Sequence, residues 1–88
     1  MAQYTRLEVV KQMQDSGMVP LFYHHDIEVA KSVLKACYDG GARLMEFTNR
    51  GDFAIEIFNQ LIKYSIAELP GMILGVGSVT DAAAASQY

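Results

Sequence analysis

One cysteine, Cys37, is all the chain contains, so no disulfide can form within it. That residue falls inside a helical pattern, where a reduced thiol packs as a small hydrophobe. Prolines are few, only Pro20 and Pro70, and no biased stretch marks a linker. Residues 1–88 therefore read as one unit with no internal boundary. Lys and Arg total 7 against 10 acidic residues, giving a net charge of −3. No basic stripe forms, which argues against a nucleic-acid partner. No apolar run approaches the roughly 20 residues of a membrane-spanning helix. The opening residues lack a basic segment followed by an apolar one, so no secretory leader is expected. His24 and His25 are adjacent and point in different directions, which makes no metal site without further ligands. A soluble cytoplasmic protein is expected, with no metal, no cofactor and no membrane partner.

What is present is a 51% hydrophobic chain, enough to build a core. Residues 3–16 read as a helix with Leu7, Val10 and Met13 at helical spacing and Val9 beside them. Gly17 suits the left-handed position after it. Residues 18–23 form an apolar run that reads as a buried strand, interrupted by Pro20, which offers no ladder donor. Asp26 has the side chain of a helix N-cap. Val29, Val33, Ala36 and Cys37 then make a stripe, with Ala30 and Leu34 next to it, and Gly40-Gly41 closes the helix. Residues 43–48 read as a second strand. Asp52 is the expected cap of a further helix whose apolar face includes Phe53, Phe58, Leu61, Ile62 and Ile66. Pro70-Gly71 ends that helix, residues 72–77 form a third strand, and Thr80-Asp81 caps residues 82–85.

The order is α, then β-α-β-α-β, then the start of another helix. Strands alternating with helices at a repeat of about 25 to 30 residues imply a parallel sheet. Two features suggest an unfinished object. The last helix stops at Tyr88, short of the usual length near 11 residues. Three parallel strands also leave two edges unpaired.

The chemistry gathers around residues 44–50, Leu44-Met45-Glu46-Phe47-Thr48-Asn49-Arg50. Strand alternation puts Leu44, Glu46 and Thr48 on one face and Met45 and Phe47 on the other. An antiparallel edge strand with Glu46 in water would give the same alternation. However, α/β folds bind ligands at the carboxyl ends of their strands. This chain places His24 and His25 after the first strand, Thr48, Asn49 and Arg50 after the second, and Gly77 and Ser78 after the third. The planar guanidinium of Arg50 suits a carboxylate or phosphate, and a surface ion pair is the alternative. Gly75 and Gly77 would let a substrate approach the strand end closely.

At these residues the chain resembles the class I, pyruvate-forming aldolases that cleave 2-keto-3-deoxy-6-phosphogluconate and 4-hydroxy-2-oxoglutarate. The motifs are Val19-Pro20, Gly40-Gly41, Glu46-x-Thr48-x-Arg50 and Gly75-x-Gly77-Ser78-Val79, within a match over residues 9–88. The resemblance implies the N-terminal part of a (β/α)8 TIM barrel with a leading helix, assembled as a homotrimer. It implies Glu46 as general acid/base, and Arg50 and Ser78 as holders of the pyruvate carboxylate. Thr48 and Gly77 would line the same site. The ligand would be a small keto acid, pyruvate or a phosphorylated sugar acid. Ser78 stands where the family more often has Thr, and Tyr23-His24-His25 stands where many members carry a basic residue.

The family's Schiff-base lysine would lie beyond Tyr88. Lys11, Lys31, Lys35 and Lys63 all fall on helical patterns. Such a barrel needs about 250 residues, so this chain would hold roughly a third of one. Two other readings use the same residues: a sugar-phosphate epimerase-type barrel with Glu46 as base, and a non-catalytic chain that self-associates through its open edges.

Overall fold

The computed structural model describes residues 3–88. The elements are α1 (Arg6–Ser16), β1 (Leu21–Phe22), α2 (Ile27–Asp39), β2 (Leu44–Thr48), α3 (Ala54–Glu68), β3 (Ile73–Gly77) and α4 (Ala82–Gln87). The strands form one parallel sheet in the order β1-β2-β3. The second strand is therefore central, which removes the antiparallel-edge reading of Glu46.

Helices α2 and α3 cover the same face of the sheet. Ala30 and Leu34 of α2 and Ala54, Phe58 and Leu61 of α3 share one buried cluster with Met45 and Phe47 of β2. Fully burying side chains of this size is worth about 1.5–3 kcal/mol each. Sequential strand order with both connecting helices on one side is compatible with a (β/α) barrel segment and with half of a doubly wound sheet, and an open three-stranded parallel sheet is what these residues form. Among the described residues, no helix is long and apolar enough to cross a membrane.

Several expectations are corrected. The first strand is two residues long, not six, and Met18 and Leu21 are exposed. Pro20 lacks an N–H, yet its carbonyl still accepts from the Glu46 N–H at 2.9 Å, so this residue joins the sheet through its acceptor and the pairing continues over Leu21 and Phe22. The first helix begins at Arg6, because Thr5 and Glu8 form a capping box that fixes the start there. It buries no residue, and Leu7 is 81% exposed. This helix lies beside Gly71 and Ile73 at the strand starts, with its apolar stripe uncovered.

In α2 the buried positions are Ala30 and Leu34, flanked by Ile27 and Cys37, rather than Val29, Val33 and Ala36. Cys37 is half-buried. Asp26 caps this helix as expected, accepting from the Glu28 N–H at 2.8 Å and the Val29 N–H at 3.3 Å. Asp52 does not cap α3. Phe53 takes that position at φ 60°, and the first turn closes on backbone carbonyls of Gly51 and Phe53. Its ring is exposed instead of joining the apolar face, as is Ile66. The cap of α4 is Asp81, accepting from the Ala84 N–H at 2.8 Å.

The sheet's two ends differ in construction. At the start of β2, the Arg43 guanidinium lies 3.8 Å from the Tyr38 ring centroid and donates to the Tyr38 and Ala42 carbonyls, each at 2.9 Å. The Tyr38 hydroxyl donates to the Pro70 carbonyl at 2.7 Å, which brings the end of the α3 unit to the same place. The opposite end carries the polar residues considered next.

Candidate functional site

Glu46 occupies the middle of the central strand, opposite Leu21 of β1 and Gly75 of β3. Phe47, its neighbour, packs toward the helices, so Glu46 faces the other way. On that face the third strand presents Gly75 and Gly77 instead of side chains. The Glu46 carboxylate extends along the sheet toward the strand ends and rests on Gly77. A Cβ at Gly77 would fall 2.5 Å from Glu46 Cδ and 2.6 Å from Oε1. A Cβ at Gly75 would meet nothing within 4 Å. The carboxylate thus has a wall on one side and open space beside it.

Glu46 is half-buried, and among the described residues it enters neither a side-chain hydrogen bond nor an ion pair. Its carboxylate oxygens are not fully buried, so they remain open to solvent or to a ligand. Thr48, one pleat further on the same face, is 3% exposed, and its Oγ1 has no hydrogen-bond partner. Leaving such a hydroxyl unpaired costs about 1–3 kcal/mol. Two unpaired polar groups therefore sit side by side on the face that the helices leave free.

Beyond Thr48 the chain turns sharply. The Arg50 N–H donates to the Thr48 carbonyl at 2.9 Å, and the Arg50 side chain is exposed with no partner among the described residues. Across the sheet, Ser78 follows Gly77 at φ 58°, a left-handed conformation uncommon outside glycine. Residues held there cost on the order of 1–3 kcal/mol and cluster at ligand sites. The Ser78 carbonyl accepts from Asn49 Nδ2 at 3.5 Å, and the Gly77 carbonyl from the Asn49 N–H at 2.9 Å. Glu46, Thr48, Arg50, Gly77 and Ser78 are accordingly gathered at the carboxyl ends of β2 and β3.

His24 and His25 do not join this group by any contact. Their rings stack at 4.6 Å, and His24 Nδ1 accepts from the Asp26 N–H at 3.0 Å. No cluster able to hold a metal occurs among the described residues. The four lysines lie on α1, α2 and α3, none at a strand end.

A deeper concavity lies elsewhere. A groove of about 640 Å³ runs along the unpaired edge of β3, lined by apolar residues including Ile62, Ile66, Ile73, Val76 and Val79. Its lining has no carboxylate, lysine or arginine, so its chemistry is that of an uncovered core and not of a reaction site.

Sequence reasoning missed the part played by Tyr23 and Tyr88. The Tyr88 hydroxyl donates to Asn49 Oδ1 at 2.7 Å, across 39 positions of sequence. The Tyr23 phenol lies directly over Gly51, where any Cβ would overlap it. Only the glycine at position 51, immediately after Arg50, hinted at such a contact.

No family model matches the chain. It is similar to an aldolase. A stretch of 65 residues is 35% identical to the 2-dehydro-3-deoxy-phosphogluconate aldolase of Pseudoalteromonas atlantica. That stretch is 74% of this chain and 28% of the relative, so the chain spans little more than a quarter of the protein it matches.

Proposed function

We propose that this chain supplies the first three β/α units of a class I aldolase barrel, which splits a 4-hydroxy-2-keto acid into pyruvate and an aldehyde. The observation that carries this reading is Glu46: an unpaired, half-buried carboxylate on the helix-free face of a central parallel strand, with Arg50 past the end of that strand. The likeness to a bacterial aldolase is of the same kind.

In this scheme a lysine from another part of the barrel forms an imine with the substrate's keto carbon and expels water. Glu46 takes the proton from the 4-hydroxyl. The C3–C4 bond breaks, the aldehyde leaves, and the bonding electrons pass into the iminium to give an enamine. Glu46 then returns its proton to C3, and water releases pyruvate from the lysine. Arg50 and Ser78 hold the carboxylate, Thr48 supplies its unpaired hydroxyl, and Gly77 keeps Glu46 in place. Since every lysine here is on a helix, these three units alone do not form the imine.

Borohydride reduction in the presence of pyruvate, on a barrel completed with the remaining strands, tests the scheme. A covalent pyruvyl adduct is expected. Its absence, with sugar-phosphate epimerisation retained, would instead assign Glu46 as a base in a reaction without an imine. Glu46→Gln should lower kcat by about 10²–10⁴-fold with little change in KM. An unchanged kcat would remove Glu46 from the mechanism.

Self-association through open edges is the second reading. It is favoured by the exposure of Met18 (66%) and Leu21 (58%) on the β1 side and Ile66 (59%) beside the β3 groove. Sedimentation of the 88-residue chain decides it: a concentration-dependent oligomer supports it and a monomer ends it.

A further inference from the structure

Arg50 has the longest side chain at the candidate site, it is exposed, and nothing among the described residues holds its guanidinium. The backbone on either side of it is held, and by different means. On the N-terminal side, Asn49 Oδ1 accepts from the Tyr88 hydroxyl at 2.7 Å. The Asn49 N–H donates to the Gly77 carbonyl at 2.9 Å, and Nδ2 reaches the Ser78 carbonyl at 3.5 Å. On the C-terminal side, the Tyr23 phenol occupies the space a side chain at position 51 would need.

The two tyrosines are rooted in the same buried aromatics. Tyr23 lies 5.5 Å from Phe47, Phe47 stacks on Phe58 at 6.2 Å, and Phe58 meets Tyr88 edge-on at 5.4 Å. A continuous row of rings under the sheet therefore presents one phenol to each neighbour of Arg50.

We infer that Tyr23 and Tyr88 are positioning residues for Arg50, acting through Gly51 and Asn49 to fix the backbone from which the guanidinium reaches an anionic ligand. This rests on the reading above, in which Arg50 binds a carboxylate. Ordering a long side chain on binding costs conformational entropy, and a backbone ordered in advance limits that cost to the side chain itself. The same Asn49 bonds also hold the left-handed Ser78 turn, so one clamp sets both proposed carboxylate contacts. Neither tyrosine needs to touch the ligand.

Two measurements on this chain test the inference. Heteronuclear NOEs of the amides of Asn49, Arg50 and Gly51 should match those of Phe47 in the unaltered protein. In Tyr88→Phe, which keeps the ring and loses the hydroxyl, they should fall, while Met45 and Leu61 stay unchanged. Tyr23→Phe combined with Tyr88→Phe should lower them further. Unchanged order at Arg50 in the double variant overturns the positioning role.

The second measurement is a pyruvate titration followed by NMR. Tyr88→Phe should weaken pyruvate about three- to tenfold, the range of one hydrogen bond. In an Arg50→Ala background the same change should have no further effect, since residues acting as one unit are not additive. Equal losses in both backgrounds would make Tyr88 merely structural. If the unaltered chain binds no pyruvate, the assignment of Arg50 as its holder on these strands fails, and the NOE result still decides the clamp.

Discussion

The carboxylate of Glu46 rests on Gly77, two residues beyond the one it pairs with in register. Its direction is set by a missing side chain as much as by its own rotamer. A methyl at position 77 would fall 2.5 Å from Cδ, closer than such atoms approach. Gly77→Ala should therefore move the carboxylate. In the completed barrel kcat should fall by about 10²-fold, the scale of a misplacement near 1 Å. Gly75→Ala, which meets open space, should change the denaturation midpoint little. Kinetics on the barrel and denaturant titration of this chain check the pair.

Gly51→Ala drives a Cβ into the Tyr23 phenol and should cost about 1–3 kcal/mol by overpacking. Shortening the partner should recover part of that loss, so Gly51→Ala with Tyr23→Leu should be less unstable than the sum of the two changes. A strictly additive cycle in urea would show that the contact is unimportant.

At the other end of the sheet, Arg43→Ala removes two hydrogen bonds and the stacking on Tyr38. A loss of about 1–3 kcal/mol is expected. Pyruvate affinity should stay within about twofold of the unaltered chain, because Arg43 lies at the opposite end of β2 from Arg50. Thermal unfolding and the same pyruvate titration separate the two effects.

Tyr88 titrates above its ordinary value of 10.0, first because burial disfavours the phenolate and then because of the nearby Tyr23. A folded-state value raised above the unfolded one means that the native chain holds the proton more tightly. That contribution to stability is complete below pH 10 and is lost as pH rises through the folded value. Above it, the phenolate can no longer donate to Asn49, so the amide NOEs of residues 49–51 should fall in the same alkaline range. Ultraviolet difference absorption, with Tyr88→Phe to assign the transition, checks the direction.

Much of this was legible in the residues. The alternation of strands and helices gave a parallel sheet, and the period of two placed Glu46 opposite Met45 and Phe47. Asp26 and Asp81 cap as their positions require. The buried stripe of α2 was not legible, because Val29, Val33 and Ala36 share helical spacing with Ile27, Ala30 and Leu34. The sheet takes the second set, and Ala30, with 0% exposure, puts only a methyl group into the core between helix and sheet. The Phe53 cap could not be foreseen either, since Asp52 has the better side chain for the task and the turn after Gly51 places it one residue too early. The link from Tyr88 to Asn49 spans 39 positions and follows from the fold alone. For the candidate site, the motifs singled out Glu46, Arg50 and Ser78, which the fold brings to the carboxyl ends of β2 and β3, while the unpaired Thr48 hydroxyl required coordinates.

The bracing of Arg43, Tyr38 and Pro70 at the strand starts leaves the far ends free to carry groups such as the Glu46 carboxylate and the Arg50 guanidinium, which make no bond to the rest of the described residues. A lineage descended from such a chain can exchange residues after β1, β2 or β3, trying new ligands, while its tolerance for error is maintained elsewhere. The same separation tells an engineer where to look: alter His24 and His25 to change what is recognised, and leave Tyr23 and Arg43 alone.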